Sequence, residues 1–387
     1  MKAKITIISI IAFTLIVALS CRKKALHSEE SYSDSPVLPE KPYDYNKSIN
    51  DNAATLGRVL FYDKSLSLNN SVACASCHQQ SKAFCDNLQF SVGLENSLTP
   101  RNSPSIFARN SKMFWDGRAS SLSDLVLRPI QNHVEMRIEN LEQLAEKVSN
   151  ISYYPELFKK AFGNSVIDSN TIRAALTEFL FNFDFSGNKF RKSELNQEHL
   201  NTSESLGRSV FFGKGRCSQC HKLNDEGGNS GAGYGTIMPS KSMFNIGLEQ
   251  VYHDNGVGAV TKNTDDYGKF MIPVLLNIEF TAPYMHDGRF KTLEEVVEHY
   301  NSGVNAHPNL DIRLRDIGTL STLTEAELMS TLDLNKNNKI DPSEMSQFPA
   351  VKLGLTSIEK KSLVDFLKTL SDYTILSEKK FSDPFKL

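Results

Sequence analysis

Cysteine placement constrains this chain more than any other feature. Of six cysteines in 387 residues, four fall in two short stretches, Cys74-Ala75-Ser76-Cys77-His78 and Cys217-Ser218-Gln219-Cys220-His221. Two thiols three positions apart, followed at once by histidine, form the attachment pattern of a c-type haem. One helical turn spaces the thiols to meet the two vinyl groups of a porphyrin, and the next residue is placed to bind its iron. A redox disulfide would want a βαβ setting and no obligate histidine, and neither pair has that setting. A zinc ribbon would bring its cysteine pairs together across a short loop, whereas these lie far apart in sequence. Two matches in one chain make covalent haem the reading, so the fold must enclose two porphyrins.

Each motif has the same approach. Leu56-Gly57-Arg58-Val59-Leu60-Phe61-Tyr62 precedes the first, and Leu206-Gly207-Arg208-Ser209-Val210-Phe211-Phe212 the second. Glycine, arginine and a terminal aromatic pair recur in register, as an internal repeat would. Glycine weakens a helix, so its recurrence predicts close approach to another helix or to haem. Simple core packing accounts for the aromatic residues equally well. Few glycines and prolines and long runs of helix formers predict a mainly α fold, two cytochrome c-like haem domains in tandem. Polar residues from Asn196 to Asn201 mark the division. This gives domains at 51–198 and 199–376.

The N-terminus carries Lys2 and Lys4, an apolar run from Ile5 to Leu19, then Ser20 and Cys21. That is the form of a secretory signal, and the run is short for a spanning helix, which needs about 20 apolar residues. We expect residues 1–21 to be a lipoprotein signal, with Cys21 lipidated and the protein membrane-anchored in the periplasm. A plain signal peptide or an uncleaved anchor is the blander alternative. Residues 22–50, charged and without apolar periodicity, are expected to form a flexible tether. A hydrophobic content of 40% suffices for two cores, and a net charge of −2 with no basic run argues against nucleic acid as a partner.

Between and after the haem motifs lie Asn110-Ser111-Lys112-Met113-Phe114-Trp115-Asp116-Gly117-Arg118, with the single tryptophan, and Pro129-Ile130-Gln131-Asn132-His133-Val134-Glu135-Met136. Thr281-Ala282-Pro283-Tyr284-Met285-His286-Asp287-Gly288 and Thr292-Leu293-Glu294-Glu295 follow. In these motifs and their order, residues 51 to 372 resemble the bacterial di-haem cytochrome c peroxidases and their relatives, the MauG enzymes that mature methylamine dehydrogenase.

The resemblance implies a peroxidase that reduces hydrogen peroxide with electrons from a small redox protein, a cytochrome c or a cupredoxin. Its alternatives are a MauG-like oxidase that oxidises residues of a partner protein, or a non-catalytic di-haem electron carrier. A homodimer is allowed. By the same resemblance, His78 is the proximal ligand of the peroxide-reacting haem in the first domain. Glu135 is the acid–base group over that haem's open face. His221 is the ligand of the electron-transfer haem in the second domain, and Trp115 lies between the haems. Asn102 and the carbonyls of Thr281 and Pro283 match the family's calcium site, and hard oxygen donors suit that ion. Without the motif, Glu135 would read as a surface glutamate and Trp115 as a core residue. His133 stands where the family usually has proline, either inert or assisting in the pocket.

Two departures from the peroxidase pattern stand out. A loop histidine that caps the first iron is replaced by Leu94 in Ser91-Val92-Gly93-Leu94-Glu95, which predicts an open, five-coordinate haem. Fourteen residues after His286, where peroxidases have methionine, stands Tyr300, as in MauG-like members. A phenolate there would lower the iron's potential relative to methionine. Met285, Met271 or His299 is the alternative ligand.

Outside the family pattern, 333–344 fits an EF-hand loop, with Asp333, Asn335, Asn337, Lys339, Asp341 and Glu344 at the ligand positions. It forms an insertion near 321–350, and a polar surface loop is the alternative. Asn338 takes the usual glycine position, and asparagine tolerates the left-handed turn. Cys85 is left without a role.

Overall fold

The computed structural model describes residues 31–45, 49–104, 106, 112–183, 187–221, 223, 243–318, 325–332 and 342–387. The fold is mainly helical. Helices of eight or more residues are α1 (Asp51–Tyr62), α2 (Leu141–Ser149), α3 (Tyr154–Phe162), α4 (Ser169–Phe181), α5 (Thr202–Phe212), α6 (Glu325–Leu332) and α7 (Ser357–Lys368). Among the described residues two short strands, β1 (Met243–Phe244) and β2 (Phe270–Met271), pair antiparallel. Among the described residues no helix is long and apolar enough to cross a membrane.

Two helix pairs organise the molecule, and side-chain caps start each helix. The Asn50 side chain accepts from the Ala53 amide to open α1. Reciprocal capping boxes open the other three, Asp168 with Thr171, Asn201 with Glu204 and Thr356 with Glu359. α1 packs on α4, and α5 packs on α7, each pair meeting at a glycine. A Cβ on Gly57 would overlap the Ala175 carbonyl, and one on Gly207 would overlap the Ser362 carbonyl. The glycine repeat is therefore a helix–helix contact in both halves. The arginine repeat diverges. Arg58 is buried and donates to the Lys379 carbonyl at 3.0 Å, whereas Arg208 is exposed and pairs with Glu194.

Each helix pair has its own apolar core. The first gathers Leu56, Val59, Leu60, Phe61, Phe84 and Phe179, and the second Phe190, Val210, Phe211, Leu363 and Phe366. The first core also takes Val274, Leu276, Ile375 and Phe381, so its contacts cross the division expected near 198. Phe381 stacks on Phe183 with ring centroids 4.6 Å apart.

The chain ends depart from the expected tether. Residues 31–45 run along the C-terminal tail, with Ser33 and Val37 amides donating to the carbonyls of Phe385 and Pro384 and Leu387 donating to Ser31. Tyr45 is buried, and its hydroxyl donates to the Lys380 carbonyl. Apolar Tyr43 and Tyr45 explain the docking, since both pack on the first core. The signal and Cys21 lie outside the described residues, as do Asp333, Asn335, Asn337, Lys339 and Asp341 of the EF-hand-like loop. Its last position, Glu344, is buried within the short helix Pro342–Met345.

Candidate active site

Cys74–Cys77 forms one helical turn, and the His78 amide donates to the Cys74 carbonyl at 3.0 Å. The thiols thus share one side of a turn whose end carries the imidazole. His78 Nδ1 lies 2.8 Å from the Phe84 carbonyl. A carbonyl can only accept, so Nδ1 carries the proton and Nε2 keeps its lone pair, as a metal-ligating histidine requires. Ala83 and Phe84 hold that carbonyl in place through two successive left-handed residues, φ 51° and 61°. Strain of this kind persists where surrounding structure enforces it. Burial holds His78 below its usual value, against the Phe84 hydrogen bond. Cys74 and Cys77 are free thiols, pushed up to about 12 by burial.

Above this motif opens a cavity of about 920 Å³ lined by Cys74, Cys77, His78, Trp115, Arg118 and Glu135, among others. Its size lies within the range of cofactor pockets. Glu135 follows the short helix Arg128–Gln131. The Asn132 side chain accepts from the Val134 amide and donates to Glu135 Oε1, both at 2.9 Å. Burial raises the Glu135 carboxyl to about 7, with Arg118 pulling it the other way. A carboxyl near neutrality can take and return a proton at working pH. His133 is exposed and does not line the cavity, so the assisting role considered for it has no support here. Leu94 is fully buried in the first core, its amide donating to the Val134 and Glu135 carbonyls. Gly93 packs against Val134, where a Cβ would overlap the carbonyl.

Cys217–Gln219 is a tight 3-10 turn, with the His221 amide donating to the Cys217 carbonyl at 2.8 Å. Burial lowers His221 to about 4, opposed by the Pro273 backbone. A narrower cavity of about 170 Å³ is lined by Cys217, Cys220, His221, Tyr300, Met285 and Met271, among others. Tyr300 sits in a π-helical turn, His299–Gly303, a distortion often found at functional positions. Burial raises the Tyr300 phenol, and Cys220 and Cys217 add to that rise. The His299 ring is engaged elsewhere, Nε2 lying 3.0 Å from the Ile246 carbonyl, which leaves Tyr300, Met285 and Met271 as the cavity's candidate ligands.

Trp115 lines both cavities. Its indole N–H donates to the Asn102 carbonyl at 2.9 Å, and its own carbonyl accepts from Met271 in β2. The Asn102 amide in turn donates to the His286 carbonyl, while its Nδ2 donates to Leu88. Asn102, Thr281 and Pro283 all line the second cavity. Among the described residues no group of three His, Cys, Asp or Glu side chains is arranged to hold a metal.

Two features escape the sequence reading. Trp115-Asp116-Gly117-Arg118 and His286-Asp287-Gly288-Arg289 form matching turns, closed by the bridges Met113 to Ala119 and Tyr284 to Phe290. In each, the arginine pairs with the aspartate two residues before it. The shared Asp-Gly-Arg was the available signal. Arg101 also joins Asp116 at 2.6 Å to Asp254 at 2.7 Å, tying the tryptophan turn to the second half of the chain. No local pattern announces a pairing across that distance.

Comparison with known proteins adds independent findings. The family model of the di-haem cytochrome c peroxidases matches residues 51–198. The cytochrome c551 peroxidase of Nitrosomonas europaea is 35% identical over 297 residues, covering 76% of this chain and 85% of that protein. The methylamine utilization protein MauG of Methylorubrum extorquens is 29% identical over 306 residues, 78% of this chain and 79% of that one. A crystal structure of a MauG-like protein associated with microbial copper homeostasis superposes with a TM-score of 0.69 and 28% identity, over 94% of this chain and 100% of that chain.

Proposed function

This chain belongs to the di-haem cytochrome c peroxidase family, with the MauG proteins among its relatives, and on that premise we propose that it reduces hydrogen peroxide in the cavity over His78. The residues present fit two c-type haems. Each cavity offers two cysteine thiols on one turn with an imidazole directly after them, and His78 keeps Nε2 available. Cys74, Cys77 and His78 would hold one haem, and Cys217, Cys220 and His221 the other. When bound, haem supplies an iron that takes up peroxide and stores its oxidising equivalents.

The chain's own work is proton management and positioning. Reduction of peroxide to two waters consumes two electrons and two protons. Glu135, as carboxylate, takes a proton from one peroxide oxygen and returns it to the departing one. The Asn132 hydrogen bond orients it, and burial keeps its affinity near that of the medium. That buried carboxyl in the CASCH cavity is the observation that carries this reading. Trp115, with a ring in reach of both cavities, serves electron or hole passage between them. Tested on the holoenzyme, peroxide should be consumed with a reduced cytochrome c or cupredoxin as donor, and Glu135→Gln should abolish most of that turnover.

The Leu94 position supports an open distal face, because the side chain is committed to the core. Fully oxidised protein should therefore bind cyanide at the first haem without prior reduction. A spectrum unchanged by cyanide would refute this.

We propose that Tyr300, in the wall of the second cavity, would supply an oxygen ligand to the other haem. Replacing it with phenylalanine should raise that haem's midpoint potential and change its optical spectrum, since an anionic donor is lost. An unchanged potential would pass the role to Met285 or Met271. A tyrosine that lost its proton on binding iron would also favour the second reading, a MauG-like oxidase acting on a partner protein. Turnover with a reduced redox protein separates the two readings.

Calcium at Asn102, Thr281 and Pro283 is part of the proposal. Asn102 Nδ2 donates to the Leu88 carbonyl, which leaves Oδ1 as the side-chain oxygen that would ligate the ion. The lipid anchor at Cys21 and the periplasmic location belong to it too, on the signal-like N-terminus.

A further inference from the structure

In the core that also holds Phe61 of the first cavity's wall, two phenols converge on one buried carboxylate. The Tyr153 and Tyr154 hydroxyls both donate to Asp63 Oδ2, at 2.7 and 2.6 Å. Asp63 Oδ1 is already used, accepting from the Ser65 amide to cap the next turn. Tyr154 and Asp63 are buried, while Tyr153 is half-buried, and the two rings lie 4.7 Å apart. Capping needs only one carboxylate oxygen, and the core position could be filled by phenylalanine. The second oxygen holding two hydroxyls calls for its own explanation.

The residue before this carboxylate in the chain leads to the cavity through aromatic rings. The His78 ring lies 6.4 Å from Phe61, and Phe61 lies 5.2 Å from Tyr62, the residue bonded to Asp63. Tyr62 is poorly suited to end such a path, because its hydroxyl donates to a carbonyl, that of Phe381, which cannot take a proton. Tyr153 and Tyr154 donate to a group that can. Burial and the Asp63 charge raise both phenols, so neither gives up an electron readily unless its proton moves at the same time.

We propose that Tyr153, Tyr154 and Asp63 form a one-electron oxidation site that drains oxidising equivalents from the proximal side of the peroxidatic haem when no protein donor is bound. The inference rests on the peroxidase reading given above. In the step, a phenol passes its proton to Asp63 Oδ2 and one electron, by way of that hydrogen bond, the adjoining Tyr62 and the Phe61 ring, to the peroxide-oxidised haem. A neutral phenoxyl radical and a protonated carboxyl result, and the haem is reduced by one equivalent. A small one-electron reductant at the half-exposed Tyr153, such as ascorbate, returns the electron, and Asp63 returns the proton.

The test adds peroxide to donor-free holoenzyme and reads radicals by freeze-quenched electron paramagnetic resonance, with ring-deuterated tyrosine to identify them. Wild-type protein should give a tyrosyl signal that ascorbate quenches. The Tyr153→Phe/Tyr154→Phe double variant, which keeps both rings, should lose it without losing donor-supported turnover. Asp63→Asn should lose most of it as well. A tyrosyl signal retained in the double variant overturns the proposal, as does its absence from wild type whose haem spectrum responds to peroxide. A haem spectrum indifferent to peroxide would instead strike the peroxidase reading. In that case a flash-generated oxidant in solution still decides the pair: a phenoxyl formed with a solvent isotope effect that requires Asp63 supports it, and none removes it.

Discussion

Glu135→Gln should lower kcat/KM for peroxide by about 10²–10⁴-fold, the usual worth of a positioned acid–base group, while both haems remain attached. Glutamine keeps the shape and the acceptor for Asn132, so the loss isolates proton transfer. The pH profile gives a second reading. Glu135 must be ionised to take the first proton, and its carboxyl sits at about 7, so kcat/KM should rise with pH through an inflection near that value. Arg118 pulls the carboxyl down, so Arg118→Gln should move the inflection upward. Linkage has the opposite sign. The native state binds this proton more tightly than the unfolded chain, for which 4.5 is the ordinary value. Its contribution to stability therefore falls as pH rises from there toward 7. Glu135→Gln removes that penalty, so lost activity should not be accompanied by a lower melting temperature at neutral pH. A variant with wild-type turnover removes Glu135 from the mechanism.

Gly57→Ala and Gly207→Ala should each destabilise the protein by about 1–3 kcal/mol, the range for forcing atoms into a packed contact. In an open helix the same change would stabilise by about 1 kcal/mol, because glycine pays more backbone entropy than alanine. The sign reverses here because the new methyl would meet the backbone carbonyl of Ala175 or Ser362, and a backbone carbonyl cannot rotate away as a flexible side chain would. The helices must part instead, disturbing α1 above the first haem motif or α5 above the second. Thermal melts of the two variants check this, and a midpoint equal to or above wild type would contradict the close-contact account.

What could be read beforehand follows from how local each requirement is. Haem attachment demands thiols and imidazole at fixed short spacing, so Cys74 to His78 and Cys217 to His221 stood out without a structure. The paired glycines were legible because a repeated weakness needs a repeated cause, though only packing showed that the cause was a facing helix. Glu135 was visible through its motif, and its proton affinity was not, since burial is a property of the assembled cavity. The Arg101 bridge to Asp254 and the Tyr153, Tyr154 and Asp63 cluster join residues distant in sequence, with no periodicity to mark them. Residues 31–45 looked like tether because strand-like pairing with a tail has no hydrophobic pattern of its own. The matching Asp-Gly-Arg turns repeat a tripeptide, but three residues shared between two loops carry no periodicity that marks them as structure.

The return of the tail to the first core has a consequence for the order of assembly. Ile375 and Phe381 complete the packing around α1 and α4, although they lie far along the chain from both helices. Contacts so distant along the chain form late, because the intervening loop must close first. The first core is therefore sealed from the second half of the chain, and until that return is made the turn carrying Cys74 rests on an incomplete packing.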